Sequence, residues 1–153
     1  MEGCSKGMII DWKKYFVDSN SKGHFILSFN EPAKEHDLGL VAHETGVEIT
    51  GDLLALLKQT NGIRDMTYGD YIILSTGRII ERYKLHLEFI KNLDETLRQT
   101  CLFFAYNGCG EDFGFIVNEG KIVSGEVVQY YPIENEFVID APDFRTWVDK
   151  WFF

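Results

Sequence analysis

Cysteines are few in this sequence, and their positions exclude the structures that cysteines usually support. Cys4, Cys101 and Cys109 form no Cys-x-x-Cys pair, and no second Cys/His pair lies at metal-ligand spacing. An odd number of isolated cysteines argues against the disulfide framework of a small secreted domain and against a structural zinc site. We therefore expect the chain to fold in a reducing compartment, the cytoplasm.

Long apolar runs are also missing. No stretch approaches the roughly 20 consecutive apolar residues that a membrane-spanning helix needs. Glu2, Ser5 and Lys6 precede the first apolar residues, so the N-terminus lacks the hydrophobic core of a signal peptide. These two absences predict a protein that stays soluble where it is made.

Linkers, repeats and low-complexity segments are absent as well, and this bounds the number of domains. A chain of 153 residues can bury roughly 70% of its unfolded surface in one core. Its 12 Phe, 7 Tyr and 3 Trp supply more apolar surface than a disordered chain could keep in water. We expect a single domain over residues 8–153, after a loose lead-in at residues 1–7.

Positive charge is in deficit, and the deficit is concentrated late in the chain. The net charge is −9, and residues 107–143 carry eight carboxylates against one cation, Lys121, or −7. The eight carboxylates are Glu111, Asp112, Glu119, Glu126, Glu134, Glu136, Asp140 and Asp143. A field of this sign repels nucleic acid and anionic membranes and attracts basic proteins. We therefore expect a basic protein partner and no direct binding to nucleic acid or membrane, with an acidic surface that only aids solubility as the alternative.

Hydrophobic periodicity predicts an α+β fold, with helices packed on one mainly antiparallel sheet and a C-terminal closing helix. Helices are expected at residues 11–17, from Pro32 to Gly46, at 52–60, from Ser75 or Thr76 to Ile90, and after an N-cap at Asp140. Strands are expected at residues 24–27, 71–74, 101–106, 113–117 and 122–131. The strand at 101–106 is apolar on both faces, which is typical of a central strand covered on each side.

The glycine-rich segment 107–114 invites comparison with a phosphate-binding loop. Its glycines fall at 108, 110 and 114, which is one residue out of the Gly-x-Gly-x-x-Gly spacing. Glu111 and Asp112 would also place two negative charges where a phosphate must sit, and a strand follows instead of a helix N-terminus. We interpret the segment as a hairpin loop whose glycines adopt positive φ.

Catalytic and metal-binding constellations cannot be assembled from the remaining residues. Acidic neighbours disfavour a thiolate at Cys109, and His24, His36, His43 and His86 are scattered structural or surface histidines. The pairs Glu111/Asp112 and Glu134/Glu136 resemble a glycosidase pair only in residue type, and no calcium-loop pattern occurs. We expect no enzyme activity and no cofactor; an unrecognised carboxylate-dependent hydrolase is the remaining alternative.

The acidic segment combines charge with aromatic area, the pairing that is enriched at protein interfaces. We predict the protein-binding residues to be Glu111, Asp112, Tyr130, Glu134 and Glu136. Tyr130 and Tyr131 point to opposite faces if they lie in a strand, so at most one of them is a surface anchor. We take Tyr130 as that anchor.

Four blocks of the chain resemble the SUKH superfamily. Residues 41–62 (VAHETGVEITGDLLALLKQTNG) are similar to its helix ending in Glu-x-x-Leu-Gly, a Leu-Pro, a Leu-rich helix and Asn-Gly. Residues 71–75 (YIILS), 102–116 (LFFAYNGCGEDFGFI), and 127–131 (VVQYY) leading to 144–148 (FRTWV) follow in the family order. The sequence departs from the pattern at Thr45-Gly46 and Thr50-Gly51, which stand for Leu-Gly and Leu-Pro in the turn between two helices.

The resemblance implies an α+β fold and a binding function without shared catalytic residues. Bacterial members are immunity proteins that neutralise toxin domains, often nucleases, and fungal members regulate cell-wall synthesis and signalling. We therefore expect an immunity protein that binds a cognate toxin domain through an acidic face. A regulatory scaffold protein without catalytic activity is the alternative.

Overall fold

The computed structural model describes residues 9–67, 69–91, 100–106, 110–134 and 136–152, so the expected lead-in lies outside the described residues. Over these residues the chain forms five α-helices and eight β-strands. The helices are α1 (Trp12–Ser19), α2 (Glu35–Thr45), α3 (Gly51–Gln59), α4 (Thr76–Lys91) and α5 (Phe144–Phe152). The strands are β1 (Leu27–Phe29), β2 (Ile63–Asp65), β3 (Asp70–Ile73), β4 (Thr100–Tyr106), β5 (Asp112–Asn118), β6 (Lys121–Ile122), β7 (Val127–Tyr131) and β8 (Glu136–Ala141).

All eight strands join one sheet in the order β1-β2-β3-β4-β5-β7-β8, with the short β6 paired to β5. Each pairing among the described residues is antiparallel. The α+β class, the antiparallel sheet and the closing C-terminal helix are therefore confirmed. Strand β8 forms one edge of the sheet and β1 the other.

Strand β4 is buried on both faces, as its apolar sequence predicts. Leu102 and Phe104 belong to the main hydrophobic core, whereas Cys101 and Phe103 belong to a smaller second cluster. This alternation follows from strand geometry, in which successive side chains point to opposite faces. The second cluster lies beside α4, because His86 of that helix packs edge-to-face against Phe103.

Helix α5 closes the main core with the apolar stripe that its spacing predicts. Phe144 and Trp147 are buried, and both rings pack edge-to-face on Phe104. The predicted N-cap is wrong by three residues: Asp143, not Asp140, accepts a hydrogen bond from the Thr146 backbone N–H, at 2.8 Å. Asp140 cannot begin the helix because it lies in β8.

Several strand boundaries differ from the sequence-based expectation. The first strand begins at Leu27, and β2 and β8 were not predicted. The expected strand at 122–131 divides into β6 and β7, separated by four residues around Gly125. Short or polar strands carry a weak alternation signal, so pairing with neighbours decides their existence.

The glycines of the predicted hairpin loop serve different purposes. Gly110 has a φ of +90°, as expected of a loop glycine. Gly114 instead lies inside β5, where a Cβ would meet the Leu102 carbonyl oxygen and lie 2.6 Å from Cys101 Sγ. Glycine is required there because the two strands approach closely. Residues 107–109 are outside the described residues.

Candidate protein-binding site

Strand pairing gathers the predicted binding residues at one end of the sheet. Asp112 pairs with Tyr130, and Tyr131 pairs with Glu136, so β5 begins where β7 ends and β8 begins. We call this place the acidic end, and it contains four carboxylates: Glu111, Asp112, Glu134 and Glu136. All five predicted residues therefore belong to one region of the molecule.

The other four carboxylates of the −7 segment are carried to the opposite end of the sheet. There Asn118 pairs with Lys121 and Val127 pairs with Ala141. These four carboxylates are Glu119, Glu126, Asp140 and Asp143. Asp140 is paired with Lys150, at 2.8 Å, and Asp143 caps α5. The acidic segment is thus two separate groups in space, a division that the sequence did not reveal.

The carboxylates at the acidic end differ in how far they reach solvent. Glu134 and Glu136 are exposed at the turn between β7 and β8. Glu111 is half-buried and accepts a hydrogen bond from the Gln129 side chain. Asp112 is only 6% exposed and forms an ion pair with Arg82 of α4. Of these four carboxylates, only Glu134 and Glu136 can therefore attract a partner from a distance.

Burial also changes the protonation behaviour of Asp112. Desolvation raises the pKa of its carboxyl above the ordinary value, and the neighbouring Arg82 guanidinium opposes that shift. One carboxylate oxygen, Oδ2, accepts from Arg82, while Oδ1 is buried without a hydrogen-bond partner among the described residues. Asp112 is thus a buried acceptor and is not part of the exposed acidic face.

The two tyrosines of β7 lie on opposite faces, as strand geometry requires. Tyr130 is buried in the second cluster, where its ring stacks on Phe137 at 4.9 Å. Tyr131 is 40% exposed. The expected surface anchor, Tyr130, therefore lies in the interior, and Tyr131 is the tyrosine available at the surface.

Exposed aliphatic residues next to the acidic pair were missed by the sequence analysis. Ile133, in the turn beside Glu134, is 94% exposed, and Val138 and Ile139 of the edge strand β8 are also exposed. An isoleucine side chain this exposed to water is the kind of apolar residue that a protein interface buries. The run Pro132-Ile133-Glu134 could have revealed the exposure of Ile133, because an apolar residue in a turn sequence is seldom buried.

A cleft of about 500 Å³ adjoins the acidic end. We call it the α4 cleft, because one wall is α4, with Leu85 and Phe89 at its rim. The opposite side is formed by the sheet, through Phe103 of β4, Asp112 of β5 and Tyr130 of β7. The cleft thus joins an apolar rim to the buried polar groups of the sheet.

The described residues contain little that could support catalysis. Within them, no group of three or more His, Cys, Asp or Glu side chains could hold a metal ion. Burial raises the pKa of the Cys101 thiol well above its ordinary value, which disfavours a nucleophilic thiolate. Cys109, the thiol considered from sequence, lies outside the described residues. None of the helices in the described ranges has the length and apolar character needed to cross a membrane.

Comparison with known proteins identifies one family. The model of the SMI1/KNR4 family (SUKH-1) matches residues 32–150, which is most of the chain and includes both the acidic end and the α4 cleft. A comparison with curated proteins gave no match.

Proposed function

The chain belongs to the SMI1/KNR4 family (SUKH-1), and from this premise we propose that it is an immunity protein that binds and neutralises a cognate toxin domain. Proteins of this family generally have immunity or regulatory roles and are not catalytic. One observation carries the proposal: the exposed carboxylates Glu134 and Glu136 flank a hairpin turn that also exposes Ile133. Negative charge and apolar surface are thus exposed together at one turn of the sheet.

The physical basis of the neutralisation is electrostatic mimicry. A nuclease toxin must present cations to a polyanionic substrate, so an exposed acidic surface competes for the same cations and speeds association by steering. Ile133 and Tyr131 would then exclude water from the contact, which strengthens the charge pairs that form around them. We propose that the bound protein blocks the active site or the substrate path of the toxin.

Co-expression tests the proposal directly. A candidate toxin domain from the gene neighbourhood is expressed with and without this protein, and growth is followed together with co-purification of the two chains. We expect the protein to relieve growth arrest and to co-purify with the toxin. Persistent arrest with no complex would show that the chain does not neutralise that toxin.

A matched pair of charge reversals tests which end of the sheet binds. Glu134→Lys with Glu136→Lys changes the acidic end, and Glu119→Lys with Glu126→Lys makes the same change in charge at the opposite end. All four side chains are exposed, so neither variant should lose much folding stability. We expect only the first variant to lose protection against the toxin. Equal loss in both would assign the effect to net charge alone.

A regulatory scaffold protein is the second candidate. The matched family model is that of SMI1/KNR4 proteins, and the sequence resemblance associates the fungal members with regulation. Gene neighbourhood separates the two roles, since an immunity gene lies beside a large toxin gene. We propose the cytoplasm as the compartment in either case, because the isolated cysteines suit a reducing environment.

A further inference from the structure

Three side chains that line the α4 cleft have buried polar atoms without hydrogen-bond partners among the described residues: the Nε donor of Arg82, and atoms of His86 and Asp112. His86 is 5% exposed, and neither of its ring nitrogens is paired among the described residues. Asp112 also lines this cleft, and its Oδ1 is buried without a partner among the described residues. Nearly all buried polar groups in folded proteins are hydrogen-bonded, and an unpaired one carries a desolvation cost. The Asp112 Oδ1 acceptor and the His86 ring line one cavity, so a single bound donor group could partner both of them.

The surroundings of His86 determine which hydrogen bonds its ring can form. Its ring packs edge-to-face against Phe103 and Tyr130, with centroids 5.0 and 5.2 Å apart, and against Phe137. Burial, assisted by the charge of Arg82, lowers the pKa of the imidazole to about 4. The ring is therefore neutral at physiological pH, with one nitrogen as donor and the other as acceptor.

The charge of the cleft favours a cation over an anion. Among the described residues that line it, Arg82 is the one positive side chain, and Asp112 forms an ion pair with it. Glu88 adds a further negative charge. The exposed Glu134 follows two residues after Pro132, which lines the cleft. An incoming anion would meet this negative balance, whereas a cation would be attracted by it.

The walls of the cleft suit the stem of a long side chain. Leu85 and Phe89 expose apolar surface at the rim, and the rings of Phe103 and Tyr130 line the interior. Arginine and lysine both bury an aliphatic stem while their charged end seeks a partner. The guanidinium fits better than an ammonium because it is planar, presents several donors in fixed directions and stacks on aromatic rings.

We propose that the α4 cleft binds an arginine side chain of the protein partner, whose guanidinium donates to Asp112 Oδ1 and to the acceptor nitrogen of His86. The inference rests on the proposed function and deepens it, because it assigns the partner a specific anchoring residue. The exposed pair Glu134 and Glu136 would attract the basic partner, and the cleft would then hold one of its side chains. Attraction and anchoring would thus be performed by different residues.

A titration of the protein alone tests the cleft. Nα-acetyl-L-arginine amide is added up to its solubility limit while the His86 ring signals are followed by NMR. The matched control is Nα-acetyl-L-citrulline amide, which has nearly the same shape without the charge. We expect saturable shifts at His86 with the arginine probe only. Absence of saturable shifts, equal shifts with citrulline, or shifts with inorganic phosphate in place of arginine would overturn the proposal.

Substitution of His86 separates binding from folding. His86→Phe keeps an aromatic ring against Phe103 and Tyr130 but removes both nitrogens. The affinity for the arginine probe should therefore fall by about tenfold. Its thermal midpoint should be unchanged or raised, because an unpaired buried polar group is removed. Asp112→Asn, which keeps the shape but removes the charge, should also lose binding. His36→Phe, the same change at an exposed position of α2, should leave probe binding unchanged.

The two proposals fail in different ways. Probe binding without any rescue from the toxin would reject the immunity role and leave the arginine site in place. Rescue without probe binding would reject the arginine site and leave the immunity role. Full rescue by His86→Phe, together with unchanged affinity for the toxin, would show that the cleft takes no part in partner binding.

Discussion

Single side chains at the acidic end differ more in burial than in chemistry. Glu136 and Asp112 are both carboxylates, but Glu136 is hydrated and exposed, whereas Asp112 is enclosed beside Arg82. A hydrated charge acts over a Debye length and contributes little to folding, and a buried charge acts only on a group that reaches it. The roles of attraction and anchoring follow from this difference.

The stability of the protein should depend on pH through His86. Its pKa is lowered to about 4 in the folded state from the ordinary 6.5, so between these values the unfolded chain binds a proton that the folded chain does not. Stability should therefore fall as the pH drops from 6.5 towards 4, by up to about 3 kcal/mol, and His86→Phe should reduce this fall. Urea unfolding of the unchanged protein and of His86→Phe across this pH range measures the loss of stability in each.

Among the described residues, the charged groups that line the cleft with His86 are Arg82, Glu88 and Asp112. The pKa of Asp112 is raised, so its protonation favours the folded state as the pH falls and partly opposes the effect of His86. Because Asp112 is present in both proteins, the difference between them isolates the histidine. Identical pH profiles for the two proteins would show that His86 does not resist protonation.

Gly114 should tolerate no larger side chain. In Gly114→Ala the new methyl group would collide with the Leu102 backbone and with Cys101, so we expect a loss of about 3 kcal/mol. Gly39→Ala is the control, because its Cβ meets nothing within 4 Å in the interior of α2. That change should raise stability by up to about 1 kcal/mol. Chemical denaturation of both variants checks the contrast, and a mild effect at Gly114 would contradict the close approach of β4 and β5.

Among the secondary-structure elements, helix α5 depends on a single residue for its start. Asp143 accepts from the Thr146 backbone N–H, and this hydrogen bond lowers the pKa of its carboxyl. Asp140, three residues earlier, lies in the edge strand between the paired residues Ile139 and Ala141, and its carboxylate forms an ion pair with Lys150 of α5. Both aspartates have the sequence character of a cap, and the extent of β8 decides between them.

Removal of that cap should loosen α5. Asp143→Ala leaves the first-turn N–H groups without an acceptor, and we expect a loss of about 1 kcal/mol in the free energy of unfolding. Asp143→Asn retains the acceptor oxygen, so it should cost only a few tenths of that amount. Urea denaturation at neutral pH compares the two. An equal loss in both variants would mean that the charge, and not the hydrogen bond, supports the helix.

Charge is distributed over the whole molecule by the direction of its strands. An acidic segment that folds into consecutive antiparallel strands delivers its turns alternately to the two ends of the sheet. Glu134 and Glu136 therefore reach one end, and Glu119 and Glu126 the other. A partner meets two exposed carboxylates at the acidic end, not the whole charge of the segment.

Association with the toxin should be sensitive to salt. When ionic strength rises from about 0.01 M to about 0.15 M, the Debye length falls from about 30 Å to about 8 Å, and steering weakens accordingly. We expect the association rate from stopped-flow fluorescence to fall steeply and the dissociation rate to change less. The double variant Glu134→Lys, Glu136→Lys should show a lower rate at low salt and a shallower dependence. A rate independent of salt would exclude electrostatic steering.

Much of the fold could be predicted from sequence because helical periodicity is a local property. The stripes of α3 and α5 and the two-sided burial of β4 were recognisable from neighbouring residues alone. The short β2 and the partly polar β8 were missed, because they exist through pairing with distant strands. The sequence predicted which residues form the candidate site, but it did not predict how exposed to solvent each of them is.

The sequence by itself determined the α+β class, the antiparallel character of the second half and the concentration of negative charge there, since each follows from the order and type of nearby residues. Only the tertiary structure decided that Glu134 is exposed while Asp112 and Tyr130 are enclosed, and that His86 of α4 shares a cleft with them. Burial depends on which distant elements pack together, and strand pairing and helix docking decide it in the folded molecule.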